Sequence, residues 1–133
     1  PASSYAVVIP LFINALLKHE RPVIFDDGEQ TRDFIHVHDI VRANLLAASR
    51  SGLAGEAINI ASGMPMSINR LYQAISSCLG VATEAEHAPP RPGDIRHSHA
   101  DTTLARKLLN FTPQVSITDG IAGVVEAMRS QKD

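Results

Sequence analysis

At 133 residues, 44% of them hydrophobic, the chain has one domain's worth of length, enough to bury roughly two-thirds of its unfolded surface. A formal charge of −2 lacks the clustered basic excess of a general nucleic-acid binder, and no apolar run nears the ~20 residues of a membrane span, so neither is expected as a partner. Cys78 is the single cysteine; it excludes an internal disulfide, points to a reducing cytoplasmic compartment, and reads as a packing residue beside Leu79.

In chain order, residues 5–19 read as a helix with Val8, Leu11, Phe12, Ala15 and Leu16 on one buried face. Pro10 is tolerable there only in a first turn. A strand follows over Val23–Phe25, then the turn dipeptide Asp27-Gly28. A second strand carries Arg32, Phe34, Ile35 and Val37. Asp39 stands as the N-cap of a helix running to about Ser49, with Gly52 as a left-handed stop nearby. Ala57–Ala61 reads as a strand buried on both faces of a parallel sheet.

Ser67 caps the next helix, in which Ile68, Leu71, Tyr72, Ile75 and Leu79 keep a 3.6 period until Gly80. Residues 84–88 form a short edge strand. The segment from His87 to Asp94 has prolines at 89, 90 and 92, which deny it helical backbone and let it hold Arg91 and Asp94 rigidly. Asp101 caps a helix through Leu104, Ala105, Leu108 and Leu109, and Pro113 breaks the chain. Ser116 and Asp119 make a capping-box-like start for a last helix with Ile117, Ile121, Val124, Val125 and Met128 on its buried stripe. Residues 130–133 are expected to fray.

The run Gly28-Glu-Gln-Thr-Arg-Asp-Phe-Ile-His-Val is entered from Val23-Ile24-Phe25 and left through Asp39-Ile-Val. Farther on come Arg91-Pro-Gly-Asp-Ile-Arg, Ser98-His-Ala-Asp and Ala105-Arg-Lys-Leu-Leu-Asn-Phe-Thr-Pro. Together, in this order, they resemble the C-terminal part of the extended short-chain dehydrogenase/reductase family, the NAD-dependent epimerases and dehydratases. Within it the nearest likeness is to the UDP-glucose 4-epimerases and their N-acetylhexosamine relatives.

The resemblance implies an α/β fold: the substrate-binding portion of a Rossmann-type enzyme, with short strands and about five helices. It implies binding of a UDP-sugar by a 4-epimerase of the UDP-glucose/UDP-galactose type, cytoplasmic and homodimeric as the complete enzyme. Arg32 and Arg91 would converge on the diphosphate, Asp94 would accept from the uridine ribose, and Val23 and Phe25 would flank the uracil. Ala6 and Val7 would border the sugar ring; their plain alternative is core packing. The family usually carries glycine where Asp26 stands. Residues 39–63 would pack on a nucleotide-binding part that holds NAD.

The chain contains no Gly-x-Gly-x-x-Gly, and Tyr5 and Tyr72 are followed four residues on by Ile9 and Ser76 rather than lysine. The catalytic Tyr-x-x-x-Lys pair and the NAD site are therefore expected in a segment ahead of Pro1, and this stretch alone is expected to be inactive. The sibling activities, a nucleotide-sugar dehydratase or decarboxylase, share the Gly-x-x-x-Arg-Asp pattern and stay open.

Two rival readings arise from the residues themselves. Arg32 can grip an anion bidentately, or pair with Asp33 or Asp27 on a wet surface; Arg91 and Asp94 can form a local ion pair instead. His36-x-His38 and His97-x-His99 would each point to one face if placed on strands, a possible zinc set for a non-catalytic metal-binding module. Against that, the resembled family carries histidine near position 36 without a metal.

Overall fold

The computed structural model describes residues 8–130 of the chain, a mixed α/β arrangement of five helices and short strands among the described residues. Helix α1 (Val8–Leu17) buries Phe12, Ile13 and Leu16. Leu11, expected inside, is 57% exposed, because the face that meets the rest of the protein is rotated toward Ile9 and Ile13. Strand β1 (Val23–Phe25) alternates as a half-buried strand must: Ile24 enters the core, while Val23 and Phe25 point the other way.

The turn after β1 needs two left-handed residues, Asp26 at φ 60° and Gly28 at φ 75°. Glycine takes that region without strain, and aspartate tolerates it better than most residues. The Asp27 carboxylate accepts from the Glu29 amide at 2.9 Å and closes the turn. Strand β2 (Thr31–Arg32) is shorter than the alternation of Phe34, Ile35 and Val37 suggests. The reason lies in the helix that follows: α2 (Val37–Ser49) takes Val37 as its first residue, and the His36 Nδ1 accepts from the His38 amide as its cap. Asp39 therefore sits inside the first turn rather than ahead of it. The end of α2 is an extended Arg50, and Gly52 serves the turn beyond.

Strand β3 (Met66–Ser67) pairs antiparallel to β2, through Thr31 opposite Ser67. It leads directly into α3 (Ile68–Leu79), which the Ser67 hydroxyl caps at the Arg70 amide and a left-handed Gly80 ends. Strand β4 (Glu86–Ala88) runs parallel to β1, and β5 (His97–Ser98) runs parallel to β2, so the order is β3-β2-β5 in one sheet and β1-β4 in the other. Helices α4 (Thr103–Leu109) and α5 (Ile117–Ser130) complete the chain. At the start of α4 the Asp101 carboxylate accepts from the Thr103 amide at 2.8 Å. At that of α5 the Ser116 hydroxyl accepts from the Asp119 amide and donates to its carboxylate.

Two hydrophobic clusters result. The larger joins α1, α3 and α5 through Phe12, Leu16, Leu71, Ile75, Ile121 and Val125, with Ile24 of β1 inserted. Each such side chain contributes about 1.5–3 kcal/mol when fully buried. The smaller joins α2 and α4 through Ala43, Ala105, Leu109 and Phe111. Leu104, expected on the inner face of α4, is 43% exposed. Cys78 is exposed rather than packed: the buried stripe of α3, through Ile68, Leu71 and Ile75, ends before the last turn of the helix.

Residues 57–61 form no strand. Ile58 and Ile60 lean on the smaller cluster, Ala61 is buried, and Ala57 and Asn59 face outward. The sequence expectation of burial on both faces is thus met on one side only among the described residues. The expectation about fraying falls mostly on residues 131–133, outside those described.

Candidate functional site

The turn and β2 place successive side chains on opposite sides. Arg32 points one way, its Nη2 meeting the Asp94 carboxylate at 2.5 Å and its Nη1 donating to the Thr31 carbonyl at 2.7 Å. Asp33 points the other way and accepts from the Ser62 amide at 2.9 Å, the Gly63 amide at 3.1 Å and the Ser62 hydroxyl. The period of two in an extended chain explains this division: within Gly-x-x-x-Arg-Asp the arginine faces a cavity and the aspartate ties down a distant loop.

Asp27 is also engaged away from Arg32. It forms a two-pronged pair with the Arg96 guanidinium, 2.7 Å from each nitrogen, which Asp26 joins at 3.1 Å. The Arg96 hydrogen bond, then the Glu29 amide, lower the Asp27 pKa from 3.8 to about 2. The wet local pairing expected as one alternative for Arg32 is thus replaced by a half-buried pair spanning 62 positions.

Arg91, on the proline-rich loop, lays its guanidinium over the Phe25 ring with 3.7 Å to the centroid, a cation–π contact. Its expected local partner Asp94 instead folds back in a turn, the Asp94 amide donating to the Arg91 carbonyl at 3.2 Å. Gly93 at φ 80° makes that turn possible.

These contacts surround a pocket of 250 Å³. Val23, Phe25, Arg32, Arg91 and Asp94, all singled out in the sequence, line it together with Val8, Phe12, Ile24, Gln30, Ile68, Pro92 and Gly93. Ala6 and Val7 lie outside the described residues. The chemistry on offer is that of recognition: two guanidinium groups, one carboxylate acceptor and a flat apolar wall. Guanidinium forks suit phosphate oxygens, and a carboxylate suits hydroxyl donors.

Gln30 was not anticipated. It is 6% exposed, and its Nε2 donates to the Phe25 carbonyl at 2.9 Å, bracing the strand that carries the wall. Its Oε1 is buried with no hydrogen-bond partner among the described residues. A polar residue two before Arg32 on a turn gives no sequence signal for this; only the fold shows which carbonyl it reaches.

A larger, mainly apolar cavity of 520 Å³ lies between the start of α2, residues 62–66 and α5. Its size is no argument for function, since it contains none of the arginine, carboxylate and aromatic set above. His36 borders it but is spent as a helix cap. The four histidines do not assemble: His36 and His38 straddle the start of α2, the His97 Nδ1 lies 3.0 Å from the Thr31 hydroxyl, and among the described residues no cluster of three His, Cys, Asp or Glu side chains could hold a metal ion.

Comparison with known proteins bears on what such a site serves. Residues 1–61 match the family model described as the NAD dependent epimerase/dehydratase family. The chain is 40% identical to a UDP-glucose 4-epimerase of Mycolicibacterium smegmatis, over 95% of this chain and 40% of that protein. The crystal structure of a UDP-glucose 4-epimerase from Thermotoga maritima with UDP-glucose superimposes with a TM-score of 0.88 at 36% identity, over 95% of this chain and 40% of that one. A UDP-N-acetylglucosamine 4-epimerase from Methanobrevibacter ruminantium, in complex with UDP-N-acetylmuramic acid, gives a TM-score of 0.88 at 41% identity, over 98% and 41%.

Nucleotide-sugar dehydratases and a decarboxylase are also among the relatives. The chain thus spans about 40% of the length of the proteins it matches. Taken with the mixed α/β fold, residues 1–61 are similar to the NAD dependent epimerase/dehydratase family, and nearly the whole chain is similar to about 40% of the length of UDP-sugar 4-epimerases.

Proposed function

We propose that this chain is the UDP-sugar-binding part of a nucleotide-sugar 4-epimerase of the UDP-glucose/UDP-galactose type. The observation that carries the reading is the convergence of Arg32, Arg91, Asp94, Phe25 and Val23 on one pocket from three separate stretches of chain. In this reading Arg32 and Arg91 offset the diphosphate charge, Asp94 accepts from the ribose hydroxyls, and Val23 and Phe25 form the wall for the uracil. Ala6 and Val7 border the sugar. Because Arg91 lies across Phe25, a base approaching that ring meets the guanidinium first, and the arginine must turn toward the diphosphate as the base arrives.

NAD supplies the hydride chemistry in the complete enzyme. This chain carries neither a glycine-rich dinucleotide turn nor a Tyr-x-x-x-Lys pair, so its residues do not fit a NAD site, and its share is binding alone. It is inactive by itself in this reading, and the complete enzyme is a cytoplasmic homodimer. Relatives crystallised with UDP-glucose and UDP-N-acetylmuramic acid support the substrate class.

Arg32→Ala and Arg91→Ala in the complete enzyme should each weaken UDP-sugar binding by about 1–3 kcal/mol, the range for a lost charge-assisted hydrogen bond. Calorimetric titration with UDP measures this directly. Wild-type UDP affinity in both variants would remove the site.

Residues 39–63 pack, in the same reading, on the nucleotide-binding part. Support comes from α2, where Val37, Val41 and Leu45 are 62%, 51% and 66% exposed along one outer stripe, a pattern that marks an interaction face. The inner face of the helix is already used by Ala43 and its neighbours. Leu45→Asp should cost about 2 kcal/mol of stability in the complete enzyme, as for one uncovered leucine, and almost nothing in the isolated chain. Equal losses in the two, followed by thermal unfolding, would argue against the packing.

A further inference from the structure

Arg91 is held differently from Arg32 and Arg96. The Arg32 guanidinium meets the Asp94 carboxylate and the Thr31 carbonyl, and that of Arg96 meets Asp26 and Asp27. Arg91 is exposed, and among the described residues its guanidinium rests on the face of the Phe25 ring, 3.7 Å from the centroid, with no carboxylate or carbonyl beside it. At that distance it fills the layer in which the atoms of a stacking base would lie, since carbon atoms in contact sit about 3.5–4.0 Å apart. The backbone cannot carry it away. The loop has prolines at 89, 90 and 92 and is closed by the Asp94 amide on the Arg91 carbonyl, so only the flexible side chain can clear the ring.

What draws that side chain off the ring decides which ligands enter. A cation–π contact at an exposed site is weak, equivalent to about two- to fivefold in affinity, and a charge-assisted bond to phosphate is stronger. A ligand with both a base and phosphate oxygens gives the guanidinium a better partner as the base takes its place. A neutral nucleoside offers no exchange: its base must push Arg91 into water and forfeit the contact. We propose that Arg91 is a specificity-determining residue that shields the Phe25 wall from uncharged nucleosides and yields it to nucleotides. This rests on the UDP-sugar reading of the pocket, and adds a reason for turning away uridine, which has the same base and ribose.

The test is titration of the complete protein with UDP by calorimetry and with uridine by ligand-observed NMR, which follows weak binding. In Arg91→Ala the two ligands should move in opposite directions. UDP should bind about fivefold or more weakly, through the lost charge-assisted bond, and uridine about two- to fivefold more tightly, because the ring is uncovered. Phe25→Leu removes the ring face, so adding Arg91→Ala in that background should leave uridine binding unchanged. Uridine bound no more tightly by Arg91→Ala than by the wild type would overturn the proposal, and so would a gain that persists in the Phe25→Leu background. The two layers separate on UDP: weaker UDP binding without a gain for uridine refutes the shielding alone, whereas unchanged UDP binding in both Arg91→Ala and Arg32→Ala removes the pocket reading with it.

Discussion

Asp39→Ala should lower the free energy of unfolding by about 3 kcal/mol, among the largest losses expected of any single truncation in the chain. Asp39 is 1% exposed. Its carboxylate accepts from the Gln114 amide at 3.0 and 3.1 Å, from the Val115 amide at 3.0 Å, and from Arg42 at 3.0 Å. Arg42 in turn donates to the Thr112 carbonyl and lies 4.7 Å above the Phe111 ring. Alanine would leave two backbone N–H groups and a guanidinium without their buried acceptor, the situation in which breaking a buried charged network costs most. With m at about 1.5 kcal/mol/M for a chain of this size, the urea midpoint should fall by about 2 M. A shift under about 0.5 M would contradict the account.

The same group fixes a pH dependence. Burial alone would raise the Asp39 pKa; the Val115 and Gln114 amides and then Arg42 outweigh it, and the net shift is downward from 3.8. For a carboxylate depressed in the folded state, the extra stability is fully present above the unfolded pKa and is lost as pH falls through the folded one. Acid below about pH 4 should therefore erode wild-type stability in part through this residue. Asp39→Asn, already weakened at neutral pH, should lose less on further acidification, which urea melts at a series of pH values would reveal.

Gly28→Ala is expected to cost about 3 kcal/mol, through two separate effects. At φ 75° any side chain is in the left-handed region, which carries about 1–2 kcal/mol for an L-residue. In addition, a Cβ at this position would stand 2.1 Å from the Asn69 Oδ1. Asn69 cannot simply turn aside, because its Nδ2 donates to the Asp27 carbonyl at 2.8 Å and to the Glu29 carboxylate at 2.6 Å. Losing those bonds adds about 1 kcal/mol or more. A double-mutant cycle separates the parts: with Asn69→Ala already present, Gly28→Ala should retain only the backbone cost. If the glycine substitution costs as much with Asn69 removed as with it present, the steric half of the argument is wrong. Because β2 follows this turn by two residues, Gly28→Ala should also displace Arg32 and so weaken the UDP binding proposed for its pocket.

Local rules carried much of the chain without help. The Asp27-Gly28 turn, the Ser67 cap with Gly80 at the far end of α3, and the Ser116–Asp119 start of α5 depend on neighbours within a few residues, so composition and spacing suffice to specify them. Arg32 and Arg91 were grouped through resemblance rather than spacing: nothing local requires two residues 59 positions apart to line the same pocket. Asp26 shows both levels at once. The glycine usual there in the resembled family suits a left-handed backbone, and Asp26 takes that conformation, at φ 60°.

The sequence by itself determined the kinds of element and most of their ends, because periodicity, caps and turn residues act over a handful of positions. Only the tertiary structure decided which way those elements face and which charges meet. Asp39 reads as a cap and becomes the acceptor for a loop 75 positions away; Arg32 passes over its neighbours for Asp94; Leu11, apolar by type, turns outward. Each of these depends on the rotation of a helix or strand about its own axis, and that angle is set by what the element packs against rather than by anything within it.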